Sequence, residues 1–135
     1  TSKMQLGIFK RDFIEYKTLV YWNKIDFIER VFFNHKINKK GDVKIIKKNI
    51  FIKPSISLMG YKRFKAILNG KRYELSLHRA VACTFLKNNN KKLLQYVNHI
   101  DEDKLNNNLS NLEWVSARGN QVARFKSTQL KLQLD

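Results

Sequence analysis

The sequence is poor in cysteine, proline and glycine, and it has no long apolar run. Among 135 residues there are one cysteine, one proline and five glycines. A lone cysteine, Cys83, allows no internal disulfide and no multi-cysteine zinc site. It lies in the run HRAVACTFL, where a small buried thiol is expected rather than a nucleophile. No stretch approaches the roughly 20 apolar residues of a membrane-spanning helix, and the N-terminus lacks a signal-peptide core. We therefore expect a soluble intracellular protein with no membrane partner.

Acidic residues are also scarce, because 11 Asp and Glu stand against 27 Lys and Arg. The formal net charge of +16 exceeds the charge of about 2–8 that suffices to keep a small domain soluble. A polyanion is therefore the expected partner, and nucleic acid fits best. Apolar residues still make up 43% of the chain and aromatic residues 12%. A disordered chain has less to bury, so we expect one folded domain.

The N-terminal quarter of the chain is rich in aromatic residues. Apolar side chains recur there at spacings of three and four, at Phe9, Phe13, Tyr16 and Val20. Such spacing predicts one apolar face of a helix, which serves either as core or as a docking face for a protein partner through residues 9–33. The expectation for residues 1–34 is an aromatic, helical N-terminal extension.

From His35 onward the pattern changes to short strand-like runs separated by turns. Gly41-Asp42 separates HKINKK from VKII, and Asn69-Gly70 separates GYKRFKAIL from KRYELSLH. Asn-Gly is a strong hairpin signal, because both central residues of a type I′ turn need a positive φ. Strand alternation puts Phe64 and Ala66 on one face of the second hairpin and Lys65 on the other. The sequence therefore predicts antiparallel hairpins over residues 35–76.

The second hairpin is also basic, through Arg63, Lys65, Lys71 and Arg72. Two interpretations are open. A basic antiparallel ribbon can lie along a phosphate backbone or enter a major groove. Equally, charges on an edge strand can protect a sheet against aggregation. The next run, residues 77–88, predicts a helix that turns Ala80 and Val81 toward the core.

Residues 96–121, YVNHIDEDKLNNNLSNLEWVSARGNQ, place one histidine among many asparagines. Val97-Asn98-His99 ends a short apolar run, an amide-rich loop ends at Asn111, and a predicted final helix holds Asn120. This order resembles the HNH nucleases, in particular the homing endonucleases of group I introns and their free-standing phage relatives. The matching residues are Gly60-Tyr61, His78-Arg79, Val81-Ala82, Phe85, Val97-Asn98-His99, Asp101, Lys104, Asn106-Asn107, Asn111-Leu112-Glu113-Trp114-Val115 and Asn120.

The resemblance covers residues 35–122 and implies an α+β fold. Antiparallel β-hairpins at 35–76 would bind nucleic acid, a ββα-metal finger at 77–122 would be the nuclease core, and 123–135 would form a tail. The implied activity is that of a hydrolase, a homing-type DNA endonuclease that nicks one strand. The implied cofactor is one Mg²⁺ or Mn²⁺ ion.

The resemblance also implies a role for individual residues. His99 would be the general base, because histidine titrates near neutral pH. Asn98 and Asn120 would give amide oxygens to the ion, and Asn111 would hold His99 in register across the loop. The residues expected to bind nucleic acid, with duplex DNA first and structured RNA as the alternative, are Arg63, Lys65, Lys71, Arg72 and Arg79.

Support residues and departures complete the comparison with the family. His78 is expected to be a buried, hydrogen-bonded histidine at a helix start rather than a second base, and Trp114 is expected in the core. Glu102 stands where the family usually has glycine, and Gly119 stands where glutamate is common. The acidic cluster at 101–103 is expected to be loop charge, with a contribution to the metal site as the alternative.

A second interpretation keeps this fold but loses the activity. The protein would then be a catalytically inactive, HNH-derived nucleic-acid-binding protein, for example a structural component of an RNA–protein particle such as a ribosome. The changes at Glu102 and Gly119 favour that interpretation. Intact Asn98, His99 and Asn120 favour the enzyme.

Overall fold

A computed structural model describes residues 14–120, which form an α+β fold of three antiparallel sheets. The strands are β1 (Tyr16–Tyr21), β2 (Arg30–Asn38), β3 (Val43–Ile45), β4 (Ile50–Phe51), β5 (Ser55–Ile56), β6 (Lys62–Leu68), β7 (Lys71–Ser76), β8 (Tyr96–His99) and β9 (Leu112–Val115). Helix α1 (Leu77–Phe85) follows β7, a 3₁₀ turn (Leu109–Asn111) precedes β9, and residues 117–120 begin a further helix. The sheet orders are β1-β2-β3-β4, β5-β6-β7 and β8-β9. The predicted fold class is confirmed. Within residues 14–120 no helix is both long and apolar enough to cross a membrane.

The N-terminal region is β-structure, so the predicted helix is wrong wherever the structure describes that region. Phe9 and Phe13 lie outside the described residues. Strands β1 and β2 pair antiparallel, with Leu19 opposite Phe32. Both of these side chains are fully buried, whereas Phe33, the next residue along, is 74% exposed. This alternation is that of a strand with one buried face.

A tight reversal between β1 and β2 explains the error. The Asn23 side-chain oxygen accepts the backbone N–H groups of Ile25 and Asp26, and Asp26 Oδ1 accepts the N–H of Ile28. Such side-chain bonds compete with helix formation and favour turns. Tyr16 and Val20 of the predicted helical face therefore both lie in β1, and the aromatic run after them crosses a turn into β2 rather than continuing along one helix. Strand β2 then continues through residues 34 and 35, where the sequence had suggested a boundary between regions.

Both predicted hairpins are confirmed. The β2–β3 turn contains Gly41 at φ +91°, and the β6–β7 turn contains Asn69 and Gly70 at φ +51° and +76°. In β6, Phe64 and Ala66 are buried and the residues between and after them face solvent. Since β6 begins next to Tyr61 and β7 leads directly into α1, the open end of this hairpin lies at the helix start.

Helix α1 packs between the first two sheets and carries the core. Ala80 and Val81 are fully buried in one apolar cluster with residues of β1, β2, β6 and β7. The Thr84 hydroxyl donates to the carbonyl of Val20 and accepts its N–H, which ties the helix to β1. Burial raises the pKa of the Cys83 thiol to about 11, so this cysteine stays protonated as expected.

Candidate active site

The segment singled out in the sequence folds as strand, loop, strand and helix start. His99 is the last residue of β8 and pairs with Leu112 of β9, while Asn98 pairs with Glu113. After β9 the chain turns at Ser116, whose hydroxyl accepts the N–H of Gly119. This bond caps the start of the helix that carries Asn120. The predicted ββα order is present as far as the described residues extend.

Three rings from separate parts of the chain meet at His99. The His99 ring lies 4.7 Å from that of His78 and 6.0 Å from that of Tyr61, measured between centroids. The Tyr61 and His78 rings stack at 5.1 Å. His99 is 5% exposed, so its orientation is fixed by packing on the first turn of α1 and on the residue that precedes β6.

A buried amide fixes how the His99 ring is protonated. His99 Nε2 lies 2.8 Å from Asn107 Oδ1, and Asn107 is 4% exposed. A carbonyl oxygen can only accept, so Nε2 carries the proton in this arrangement and Nδ1 carries the lone pair. Nδ1 has no hydrogen-bond partner among residues 14–120. It is therefore the ring nitrogen that remains to accept a proton from water.

Asn111 joins the two ends of the loop that follows His99. Its Oδ1 accepts the N–H of Asp101 at 2.9 Å. Its Nδ2 donates to Asp101 Oδ1 at 2.8 Å and to the carbonyl of Asn106 at 2.9 Å. These bonds use the whole amide inside the loop and hold the residues after His99 in place. The geometry supports the predicted positioning role.

The acidic cluster of this loop is engaged in loop structure. Hydrogen bonds from Asn106, from the backbone of Asp103 and from Asn111 hold the pKa of the Asp101 carboxyl below its usual range. The Asp103 side chain accepts the N–H of Leu105. These contacts support the expectation of loop charge over that of a metal contribution.

Glu102, which stands where the resembled family usually has glycine, adopts a backbone conformation that favours glycine. Its φ is +66°, which lies in the left-handed region that costs an ordinary residue about 1–2 kcal/mol. Its N–H donates to the carbonyl of His99 at 3.0 Å. The tight turn after His99 is therefore made by a non-glycine residue in a strained conformation.

His78 has the environment of a structural histidine. Its Nδ1 lies 2.7 Å from the Ser76 hydroxyl. Burial is the main cause that lowers the pKa of His78 to about 3, and the neighbouring charges of His99, Arg79 and Arg63 lower it further. His78 is therefore neutral at physiological pH, and its assignment as a structural histidine stays a prediction.

The predicted metal ligands offer amide oxygens. Asn98 Nδ2 donates to Glu113 Oε1 at 2.9 Å, which orients the amide and leaves Asn98 Oδ1 without a partner among the described residues. The Asn120 side chain also makes no hydrogen bond within residues 14–120. An amide oxygen is a suitable ligand for a hard divalent cation, and that of Asn98 lies beside the Glu113 carboxylate. No group of three or more His, Cys, Asp and Glu gathers in this part of the chain, so a site here depends on amides.

The structure separates the basic residues predicted to bind nucleic acid. Arg63, Lys65 and Arg72 share the outer face of the β6–β7 hairpin, because strand register pairs Lys65 with Glu74 and Ile67 with Arg72. Glu74 also accepts a hydrogen bond from Arg63 Nε at 3.2 Å. Lys71 belongs to the opposite face, with its amine 5.1 Å from the centre of the Tyr73 ring.

The Arg79 side chain is held inside the protein by two backbone carbonyls and two tryptophan rings. Its Nε donates to the carbonyl of Trp22 at 2.8 Å and its Nη1 donates to the carbonyl of Gln95. The guanidinium lies 4.3 Å and 5.3 Å from the ring centres of Trp22 and Trp114, which themselves stack at 4.9 Å. Trp114 Nε1 donates to the carbonyl of Leu86. Arg79 thus joins the N-terminal sheet to the β8–β9 ribbon, and we leave it out of the proposed DNA-contact set. Trp114, expected in the core, is only half-buried and lies outside the main apolar cluster, where its ring supports Arg79.

Comparison with known proteins shows which family this chain is similar to. A family profile described as HNH endonuclease matches residues 96–122. A solved structure titled "DNA binding and cleavage by the HNH homing endonuclease I-HmuI" superposes with a TM-score of 0.60 and 30% identity, over 72% of this chain and 59% of that chain. The resemblance to HNH endonucleases is confirmed.

Two curated relatives carry the HNH endonuclease name, and a third is named as a DNA endonuclease. An uncharacterised HNH endonuclease of Acanthamoeba polyphaga mimivirus is 38% identical over 94 residues, 70% of this chain and 28% of the relative. A second one from that virus is 52% identical over 44 residues, 33% of this chain and 11% of the relative. The DNA endonuclease I-HmuI of Bacillus phage SP01 is 32% identical over 87 residues, 64% of this chain and 49% of the relative. The chain spans about half or less of the length of these relatives.

Three residues of this HNH-like site were not predicted from the sequence to contact its functional groups, and Asn107 was expected only to satisfy the loop backbone. Asn107 and Tyr61 belong to matched motif positions, and Glu113 lies within the matched run NLEWV. The sequence signal for Glu113 was available, because β8–β9 pairing places it opposite Asn98. The bond from Asn107 to His99 and the stacking of Tyr61 depend on how the loop and the hairpin fold back, which spacing does not encode.

Proposed function

We propose that this protein is a homing-type HNH endonuclease that hydrolyses phosphodiester bonds of duplex DNA with a divalent ion. The observation that carries the proposal is the arrangement at His99, where Asn107 occupies Nε2 and Nδ1 is left with a lone pair. A histidine held in one tautomer, with a lone pair free on its other ring nitrogen, can act as the general base that activates water for attack on a phosphodiester. The similarity to I-HmuI supports DNA as the substrate.

His99 removes the proton from the attacking water through Nδ1. The imidazolium that forms keeps its Nε2–H bond to Asn107, which therefore stabilises the ring before and after proton transfer. Asn111 holds the loop, and the rings of Tyr61 and His78 prevent the imidazole from rotating. The neutral state of His78 matters here, because a second charge 4.7 Å away would oppose protonation of His99.

Asn98 and Asn120 would hold the metal ion. When bound, a divalent ion such as Mg²⁺ or Mn²⁺ stabilises the negative charge that develops on the phosphate and the leaving oxygen. Glu113 orients the Asn98 amide through its Nδ2 and so presents Oδ1 as the ligand. Neutral amides attract the ion less than carboxylates do, so we expect weak ion binding in the absence of DNA.

The outer face of the β6–β7 hairpin would bind the duplex beside the cut. Strand β6 runs away from the ring cluster for seven residues, a distance of about 20 Å at the usual rise per residue. Arg63 lies near the site, Lys65 in the middle and Arg72 close to the far end. This spacing lets the hairpin follow several phosphates.

The protein should nick one strand. One site provides one base and one metal position, so a double-strand break needs a second copy or a second binding event. Supercoiled plasmid incubated with Mg²⁺ or Mn²⁺ should pass to open circles before linear molecules form. Linear product at the outset, at a concentration where sedimentation shows a dimer, would contradict nicking by a monomer.

The decisive experiment compares His99→Ala with a control at the other buried histidine, His35→Gln. His35 is 3% exposed and its Nδ1 has no partner within the described residues. The His99 variant should lose about 10²–10⁴-fold in nicking rate while its affinity for DNA is unchanged. His35→Gln should cleave normally. Metal-dependent cleavage by His99→Ala at the wild-type rate would refute the proposal.

Measurements of nucleic-acid affinity and of DNA cleavage together separate the enzyme from its alternative. Binding through Lys and Arg should weaken with rising salt by about 0.9 log units of affinity per log unit of salt for each neutralised phosphate of duplex DNA. Tight binding to structured RNA, with no cleavage of DNA in Mg²⁺ or Mn²⁺, would favour the inactive HNH-derived protein instead.

A further inference from the structure

The turn between β5 and β6 projects two apolar side chains into solvent. Leu58 is fully exposed at 107% and Met59 is 68% exposed. The turn is nevertheless well defined. The N–H of Ser57 donates to the carbonyl of Tyr61 at 2.8 Å, and the N–H of Gly60 donates to the carbonyl of Ser57 at 2.9 Å. Gly60 adopts φ +88°, so the turn has a fixed shape with an apolar tip.

This tip is attached to the candidate active site on both sides. Lys104, from the loop after His99, donates its amine to the carbonyl of Met59 at 2.9 Å, and the same amine lies 4.8 Å from the centre of the Tyr61 ring. Tyr61 stacks in turn on His78 and His99. Because Met59 is two residues from Tyr61, their Cα atoms are at most about 7 Å apart. The backbone of the turn that carries Leu58 and Met59 is therefore held next to Tyr61, whose ring contacts His99.

We infer that Leu58 and Met59 form a wedge that enters one base step of the bound duplex next to the phosphate that is cut. This inference rests on the proposed endonuclease function. Apolar side chains inserted between base pairs unstack them and kink the duplex. The wedge would open the groove at the place where His99 and the amide ligands must reach the backbone.

Charge around the tip favours DNA as its partner. Lys62 follows Tyr61 directly, Lys104 binds the turn itself, and Arg63 and Lys65 continue along β6. A protein partner or a second copy would have to bury these cations without phosphates to neutralise them. Insertion between bases removes the apolar surface of both side chains from water, which offsets the unfavourable unstacking.

The test uses a duplex in which stacking is already broken. We would measure the affinity of the full chain by fluorescence anisotropy, at one salt concentration and in EDTA. The probes are a matched duplex and the same duplex with a single abasic site. The variant is Leu58→Ser with Met59→Ser. The control is Ile25→Ser, which changes an aliphatic side chain that is 86% exposed in the β1–β2 loop.

The wild type and the Ile25 control should bind the abasic duplex roughly tenfold more tightly, because the cost of unstacking is removed. The double variant should bind both duplexes equally. A wild type without this preference, or a double variant that retains it, would overturn the wedge. So would a double variant that changes only the oligomeric state in sedimentation. Because EDTA prevents cleavage, the preference can hold in a protein that never cuts, and cutting can occur without the preference, so the two proposals fail separately.

Discussion

Replacing Asn107 with leucine should lower the rate of cleavage while leaving the fold nearly as stable. The amide accepts from His99 Nε2 at 2.8 Å, and loss of that acceptor leaves a buried N–H unpaired at a cost of about 1–3 kcal/mol. Asn107 Nδ2 is itself buried with no partner in the described part of the chain. Leucine also removes this unpaired Nδ2 group, which recovers a similar amount of free energy. The two changes therefore nearly cancel in the free energy of unfolding.

The rate responds differently, because no group then selects the protonation state of His99. We expect a loss of about 10–100-fold, which is typical when a group that orients a functional histidine is removed. The loss should be smaller than that of His99→Ala. Nicking of supercoiled plasmid at saturating Mg²⁺ gives the rate, and urea unfolding gives the stability. An unchanged rate would refute the positioning role of Asn107.

Asn107→Asp is the companion variant, since it keeps the acceptor oxygen and adds a negative charge. The charge favours the protonated imidazole, so the acid limb of the pH–rate profile should move to higher pH by about 1–3 units. A residue that served only packing would not shift that profile. An acid limb that stays in place, with a stable fold, would therefore count against the mechanism.

The remaining predictions concern stability. The pKa of His78, lowered by burial to about 3, lies below its unfolded value of about 6.5. Between these two pH values the unfolded chain therefore binds more protons than the folded chain. The free energy of unfolding should consequently fall as pH drops from about 6.5 toward 3. His78→Gln should reduce that fall, measured by urea unfolding at pH 7 and pH 4.5. Glu102→Gly should raise stability by about 0.5–1 kcal/mol, because left-handed strain of about 1–2 kcal/mol outweighs the backbone entropy of glycine; a lower melting temperature would mean that interactions of the glutamate side chain dominate. Gly119→Glu should add about 1 kcal/mol, since it removes a helical glycine and completes a capping box with Ser116; a lower melting temperature would show that the added Cβ, 3.3 Å from Ser116 Oγ, is not accommodated.

The parts predicted correctly from the sequence are those specified by local chemistry. Asn69-Gly70 needs positive φ and forms the expected turn. The resemblance to the HNH family, through a motif that includes His99, Asn111 and Asn120, identified the segment that the family profile also matches. The N-terminal helix failed because the spacing of Tyr16 and Val20 falls within one strand, and the aromatic residues after them belong to a turn and a second strand. The side-chain bonds of Asn23 were the local signal against a helix.

Contacts between distant residues could not be predicted. Arg79 looked like a DNA contact because it is a cation in a basic chain, yet it meets a carbonyl 57 positions away. The partner of His99 among the neighbouring asparagines was equally open, since Asn106, Asn107 and Asn108 are chemically identical. The path of the loop selects Asn107.

The position of Arg79 between Trp22 and Trp114 has a consequence for protein engineering. A graft that transplanted only residues 35–122 would cut β2 in the middle, remove Trp22 and leave a guanidinium with one aromatic face and one carbonyl missing. Chimeras that move the HNH-like segment to a new DNA-binding partner should therefore take β1 with it. The smallest transferable unit begins before Tyr16, and shorter fusions should fail at the level of soluble expression before any cleavage is measured.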